Sequence, residues 1–303
     1  MEKLLKNEFN WSKSRDELFK ECKRKYYFDK YGSWGGWESA AQEKARKLYQ
    51  LKQLATRQMW LGKIVHEAIR YLLTELKAEK AVPLNTLLLL LTKELQERYD
   101  FSASGLYRKF PKKSGLIEHE HKTTITEDEK EELFRLAEKC VTNFYNSEIL
   151  KEIKSVDVSK WLSMEEFLSF DFEGTKIYLS MDFVIKNGEN KIIIYDWKTG
   201  KERAMDVGLQ LACYALYTAQ NWGLDLSKII VKRYYLSIDK QDEFLIDNKT
   251  IEHTKEYIRT SIKAMQDMLA DKENNIAEEE SFLQTDDLRR CLRCNFRRIC
   301  NLI

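Results

Sequence analysis

Lys176–Ile185 (KIYLSMDFVI), Asn187-Gly188 and Lys191–Lys198 (KIIIYDWK) together decide how this chain folds. Both runs are apolar and β-branched, and Asn-Gly between two such runs is the strongest short-range hairpin signal. Side chains alternate along a strand, so Asp196 and Lys198 share one face while Trp197 takes the other. A turn centred near Gly188–Glu189 sets Asp182 opposite Tyr195 or Asp196 and brings two carboxylates together in mid-sheet. Facing acids repel unless a cation lies between them. A divalent, oxygen-loving metal, Mg²⁺ or Mn²⁺, meets that need, with Lys198 beside it. On these three residues alone, a solvated polar face with a surface ion pair accounts for the pattern equally well.

The 303 residues, 43% hydrophobic, suffice for one large domain with an elaboration or for two modest ones. A net charge of +2 argues for no particular partner, so any basic surface must be local. The opening MEKLLKNEFNWSKSRDE has neither a secretory nor a transit pattern, and the longest aliphatic run is Leu87–Leu91. A soluble, intracellular (cytoplasmic) protein is expected.

Three of the six cysteines crowd into Cys291-Leu-Arg-Cys294-Asn-Phe-Arg-Arg-Ile-Cys300, and Cys22 stands alone near the start. In an intracellular protein, CxxC with a third cysteine close by reads as a metal clamp rather than a disulfide framework. A fourth ligand is then needed. Cys140 and Cys213 fall in helical patterns where a buried thiol is commonplace, whereas Cys22 sits among Lys20, Lys23, Arg24 and Lys25, and cations favour thiolates. Cys22 is therefore the expected fourth ligand, and spacing alone does not separate zinc from an iron–sulfur cluster.

Elsewhere, 14–31 reads as a helix capped by Ser14 with Glu17 three residues on, and 58–78 as a second helix. His66 stands one turn after Gly62 on that second helix. Residues 84–98 and 127–150 read as further helices, and 102–126 as an exposed basic loop whose His119 and His121 are solvated or, alternatively, metal-binding. Strands at about 165–173 and 176–198, a helix at 204–221, a strand at 228–238 and a helix at 251–271 follow. The acidic run Asp271–Glu280 reads as an exposed linker.

His66 in LGKIVHEA, Asp182 in SMDFVI, Asp196-Trp-Lys198-Thr-Gly200 and Gln210-Leu-Ala-Cys-Tyr214 resemble, in order, the motifs of RecB-like nucleases of the PD-(D/E)xK superfamily. SRDELFKECKRKYYF and CLRCNFRRIC resemble the split four-cysteine cluster of that superfamily's iron–sulfur branch, which includes AddB-type nuclease domains and CRISPR-associated RecB-like exonucleases. Lys23 takes the position after the first cysteine where that branch has proline. The resemblance implies an α/β fold, a mixed sheet flanked by helices, forming a single nuclease domain over 1–303. It also implies a helical insertion at 75–165 and an iron–sulfur cap at 281–303 completed by Cys22. It implies Mg²⁺ or Mn²⁺ on His66, Asp182 and Asp196, and a [4Fe–4S] cluster on Cys22, Cys291, Cys294 and Cys300, with zinc as the alternative. Asp182, Asp196, Lys198, Gln210 and Tyr214 would be the catalytic residues, and the reaction phosphodiester hydrolysis of DNA in repair, recombination or defence.

Trp34, Trp37 and Tyr31 beside Lys30 form an aromatic-basic patch suited to unpaired bases, and Arg289, Arg290, Arg293, Arg297 and Arg298 surround the cysteines. Both favour single-stranded or frayed DNA; an exonuclease is what the resemblance implies, while the sequence itself leaves exo and endo cleavage open. A helicase or integrase partner is compatible with this reading. A non-catalytic DNA-binding or assembly subunit is the alternative, although such a protein would usually have lost Asp196 or Lys198. A zinc-ribbon regulator would explain CxxC but not the Asp–Asp–Lys hairpin.

Overall fold

The computed structural model describes residues 6–200, 207–223 and 225–300. Ser12, not Ser14, caps the first helix: its hydroxyl accepts the Arg15 N–H, and α1 runs Lys13–Glu21. Cys22 is extended, which ends α1, and its Sγ accepts the Lys25 N–H as α2 (Lys23–Tyr27) begins. The wider turn Phe28–Gly32 follows, then α3 (Glu43–Lys52) and the short β1 (Leu54–Ala55). The helix expected over 58–78 is α4 (Arg57–Lys77), with Thr56 as its cap.

α5 (Leu84–Ala103) leads to a segment that departs from the exposed loop expected over 102–126. There β2 (Gly115–Leu116) pairs in parallel with β1, and α6 (Ile117–Glu120) carries a Glu120 that is 2% exposed. Glu120 accepts from Tyr107 Oη at 2.7 Å, Arg108 Nη2 at 2.9 Å and Lys47 Nζ at 3.2 Å. Burial opposes its charge, but those donors outweigh it and hold the carboxyl below its usual range. A buried ion with three hydrogen-bond partners ties this segment to α3, which composition alone does not reveal. α7 (Glu127–Asn146) then opens on a complete capping box of Thr126 and Glu129, and α8 (Glu148–Ser155) follows.

The main sheet comprises β3 (Trp161–Phe172), β4 (Thr175–Lys186), β5 (Ile192–Lys198), β6 (Ile229–Tyr235) and β7 (Lys240–Leu245), in that spatial order. All neighbours are antiparallel except β5 and β6. A parallel pair needs a crossover, supplied by α9 (Val207–Trp222); positions 204–206 of the helix expected there lie outside the described residues. The mixed sheet flanked by helices expected from the sequence is therefore the fold observed, with β7 as an edge strand that the polar KQDEFL does not announce. α10 (Asn248–Gln266), α11 (Leu288–Leu292) and α12 (Arg297–Cys300) complete the described chain.

Two apolar layers sandwich the sheet. On one side α4, α5, α7 and α8 pack against Phe183, Ile185, Tyr195 and Trp197. On the other, α9 and α10 pack against Met181, Val184, Ile192 and Ile194. Coverage of both faces explains why Ile192–Ile194 is an unbroken apolar run rather than an alternating one. Each fully buried aliphatic chain contributes roughly 1.5–3 kcal/mol. The acidic stretch 271–280 is not a free linker, because Asp271 bridges Ile276 and Glu279 pairs with Arg24 at 2.9 Å and Lys44 at 2.6 Å. No helix among the described residues is long and apolar enough to cross a membrane.

Candidate active site

The β4–β5 ladder ends at Phe183↔Tyr195; one step further, Asp182 and Asp196 would face each other. The strands part there, and Asp182 Oδ2 accepts the Trp197 backbone N–H at 2.7 Å. Asp182 Oδ1 lies 3.4 Å from Nδ1 of His66, on α4. Helix and sheet meet closely here: a side chain at Gly62 would place its Cβ 3.2 Å from Thr199 Oγ1. Of the two partners the sequence allows for Asp182, Tyr195 and Asp196, the register of the ladder points to Asp196, and α4 delivers the histidine to the split.

Asp196 is fully buried. Its Oδ1 accepts from Lys198 Nζ at 2.8 Å and, more loosely, from Tyr214 Oη at 3.4 Å; Gln210 Nε2 donates to that phenol at 2.6 Å. Its Oδ2 accepts from Arg233 Nε at 2.8 Å. Arg233 is the β6 register partner of Asp196, is 4% exposed, and has an Nη2 with no protein partner. Nothing in IIVKRYYLSI distinguished Arg233 from Lys232 as the inward cation.

Glu165 is the other residue that sequence reading missed. It sits on β3 between Met164 and Glu166, whose β4 partners Phe183 and Met181 flank Asp182. Its φ of +48° is a left-handed conformation that a side chain rarely adopts. Its Oε1 lies 3.7 Å from His66 Nδ1, and Oε2 lies 3.7 Å from Arg70 Nε. Oε1 is buried without a hydrogen-bond partner.

The electrostatics follow from this crowding. Burial, then repulsion from Asp182, push the Glu165 carboxyl up to about 7 against the pull of His66 and Arg70. Burial also opposes the charge of Asp182, but the adjacent imidazole outweighs it and holds that carboxyl low. For His66 and Lys198, burial is overcome by the facing carboxylates, and both are held more basic than usual. Tyr214 is buried beside two acids and stays a phenol far above its ordinary range.

Lys198, Gln210, Tyr214 and Arg233 line an open cleft together with Arg57, Lys139, Tyr178, Ser180 and Tyr235. Among the described residues, no group of three or more His, Cys, Asp or Glu side chains is drawn up as a ready metal site; the acids are satisfied by neighbouring cations instead. The donor set nevertheless suits a hard divalent ion: two ionised or ionisable carboxylates beside an imidazole, with an orphaned buried oxygen on Glu165 among them.

Cys22, Cys291, Cys294 and Cys300 line one small cavity where the beginning and end of the described chain meet. All are free, and three accept N–H bonds: Cys22 from Lys25 N, Cys294 from Phe296 N at 3.4 Å, and Cys300 from Gln284 Nε2 at 3.0 Å. Burial pushes the Cys294 thiol up to about 11. Cys140 and Cys213 lie apart in the two core layers, with thiols pushed up to about 12 by burial. His121 Nε2 donates to the Cys294 carbonyl at 2.9 Å, and His119 Nδ1 meets Ser102 Oγ at 2.8 Å; neither is a solvated loop residue, and neither reaches the acids.

A family model described as the PD-(D/E)XK nuclease superfamily matches residues 10–301, which takes in the split strands and both cysteine segments. The chain belongs to the PD-(D/E)XK nuclease superfamily. Nucleases of this superfamily hydrolyse phosphodiester bonds and generally use Mg²⁺ or Mn²⁺. No curated protein matches its sequence significantly. It is similar to the crystal structure of a "putative exonuclease" from Eubacterium rectale at 14% identity and a TM-score of 0.33, over 57% of this chain and 65% of that one. This superfamily member thus spans just under two thirds of that protein, a likeness too slight to speak for its activity.

Proposed function

We propose that this protein is a metal-dependent DNA exonuclease acting on single-stranded or frayed ends, in repair, recombination or defence. The observation that carries this reading is the convergence of His66, Glu165, Asp182, Asp196 and Lys198 at the point where β4 and β5 part, beside a cleft lined by Arg57, Lys139 and Arg233. His66, Asp182 and Asp196 would hold Mg²⁺ or Mn²⁺, with Glu165 in reach. When bound, the ion supplies Lewis-acid stabilisation of phosphoryl charge and acidifies water. An imidazole in the donor set favours Mn²⁺ over Mg²⁺.

The chain's own residues divide the remaining work. Lys198 is held protonated by Asp196 and Asp182, so it acts as a fixed cation that orients the nucleophile and offsets charge on the phosphate, not as a base. Arg233 anchors Asp196 through Oδ2 and leaves Oδ1 turned toward Lys198. Tyr214 and Gln210 support that carboxylate from α9. Retention of Asp196 and Lys198 speaks against the non-catalytic subunit.

The four cysteines would hold a [4Fe–4S] cluster, as in the superfamily's iron–sulfur branch, zinc being the alternative. The cavity lined by all four cysteines and the N–H bonds to the sulfurs of Cys22, Cys294 and Cys300 support a shared cation there. In this reading 281–303, of which 301–303 lie outside the described residues, caps the single domain, and 75–165 is its helical insertion. Trp34 and Trp37, partly exposed and edge-to-face at 5.1 Å, suit contacts with unpaired bases. A helicase or integrase partner fits an enzyme that needs frayed ends.

The test is degradation of end-labelled linear and circular single strands with Mn²⁺ or Mg²⁺, with and without EDTA. Linear strands should be shortened, circles spared, and EDTA or Asp196→Asn should stop the reaction. Turnover that survives both treatments overturns the site; cleavage of circles overturns the exonuclease.

A further inference from the structure

The β3–β4 hairpin continues well past Asp182, and its two faces differ. Phe170, Phe172, Ile177, Leu179 and Met181 are buried in the layer with α9. The opposite face carries Asp182, Ser180 and Tyr178 in alternation along β4, with Phe167 across from Ser180 on β3. Phe167 is 74% exposed, an unusual place for a large apolar ring. It is stacked on Tyr178 with centroids 4.7 Å apart and planes 17° from parallel. The two are diagonal rather than direct cross-strand partners, since Phe167 pairs with Ser180 and Tyr178 with Ser169.

We infer that Phe167 and Tyr178 form a stacking platform for one unpaired base of the strand whose phosphate lies at the Asp182–Lys198 site; this rests on the proposed nuclease reading. Continuity is the first support. Tyr178 and Ser180 line the same cleft as Lys198, and at the usual rise they stand about 14 and 7 Å from Asp182 along β4. Charge is the second. Lys176 Nζ lies 5.8 Å from the Tyr178 ring centroid, next to where the backbone of a stacked nucleotide would run. Geometry is the third: a parallel pair with one ring largely exposed extends by one more planar π-system, and every base offers one. Bases still paired in a duplex have both faces covered, so the platform selects unpaired strands.

The experiment measures binding of a fluorescent single-stranded oligothymidylate in EDTA, where no turnover occurs, together with versions carrying one abasic residue walked along the strand. Phe167→Ala should weaken binding of the intact strand about 5- to 150-fold, the range for loss of one stacked base. Phe167→Trp should restore it. One abasic position should reproduce the loss in the unaltered protein and add nothing in Phe167→Ala. Unchanged binding by Phe167→Ala overturns the platform, as does a dimer that Phe167→Ala converts to monomer without changing DNA affinity. Phe167-dependent binding in a protein that never cleaves DNA with Mn²⁺ upholds the platform and removes the nuclease reading.

Discussion

Asp182 accepts the Trp197 backbone N–H at 2.7 Å, so a side chain takes a donor that a continuing β4–β5 ladder would have used. The contact holds the strands apart where their acids would collide and fixes the Asp182 carboxylate by one oxygen. The other oxygen is left toward His66. A gap of this kind is unfavourable for a sheet and useful for a site, because it admits a cation or a phosphate between two strands that are otherwise covered on both faces.

Asp196→Asn removes the negative charge but keeps the size and an oxygen acceptor for Arg233 Nε, so cleavage should fall at least about 100-fold and stability should fall by less than in the Ala variant. Asp196→Ala should behave differently. It leaves Arg233, 4% exposed, with neither the counter-charge nor an acceptor, and loss of one member of a buried pair costs about 3–5 kcal/mol. Urea unfolding compares the two, and adding Arg233→Met to Asp196→Ala should recover part of the loss. Equal stability of the Asn and Ala variants would show that the pair does not hold β5 to β6.

Glu165 makes stability depend on pH. Its folded carboxyl is raised from 4.5 to about 7, so its ionised form is disfavoured by folding. That cost is absent below pH 4.5, grows between 4.5 and 7, and is complete above 7. Glu165→Gln should therefore stabilise the metal-free protein at pH 8 by about 1–2 kcal/mol, after allowance for solvent screening, and barely at pH 4.5. Unfolding in EDTA at both pH values tests this. With Mn²⁺ present the sign should reverse, since the same substitution removes a donor.

His66→Ala should raise the Mn²⁺ concentration needed for half-maximal activity at least about tenfold. An unchanged metal titration would make the imidazole a structural partner of Asp182 alone.

Replacing Cys22, Cys291, Cys294 or Cys300 by serine should release iron and lower the unfolding temperature to a similar extent in each case, because a cation bound only by the folded state stabilises it. Cys140→Ser and Cys213→Ser should keep their full iron content. Iron kept by Cys22→Ser would break the proposed set, and zinc found in place of iron would change the ion but not the clamp.

The hairpin was legible because two local signals agreed: the Asn187-Gly188 turn and β-branched runs on either side of it. The order α4, β3, β4, β5, α9 and β6 was legible through periodicity, whereas β2 and α6 were not. Glu165 was not legible. Two consecutive glutamates in LSMEEFLS give no clue to which turns inward, and a left-handed residue breaks the alternation that would have decided it. Arg233 was hidden likewise, since its role depends on register with Asp196 across a 37-residue separation. HEH read as a solvated loop because nothing local shows that His121 lies beneath Cys294.

The contacts that join the two cysteine segments have a consequence for synthesis. Arg290 reaches the Glu21 carbonyl at 2.9 Å across 269 residues. At about 5–20 residues per second, the partner of Glu21 is made roughly 13–54 s after Glu21 itself. Every strand of the main sheet, through Leu245, precedes it. The nascent chain can therefore complete its sheet while α1 and α2 are still unlatched and Cys22 is open to oxidants. The junction of the two cysteine segments is thus among the last contacts of the fold to become possible, and any ion held by these thiols would be taken up only after the sheet is complete.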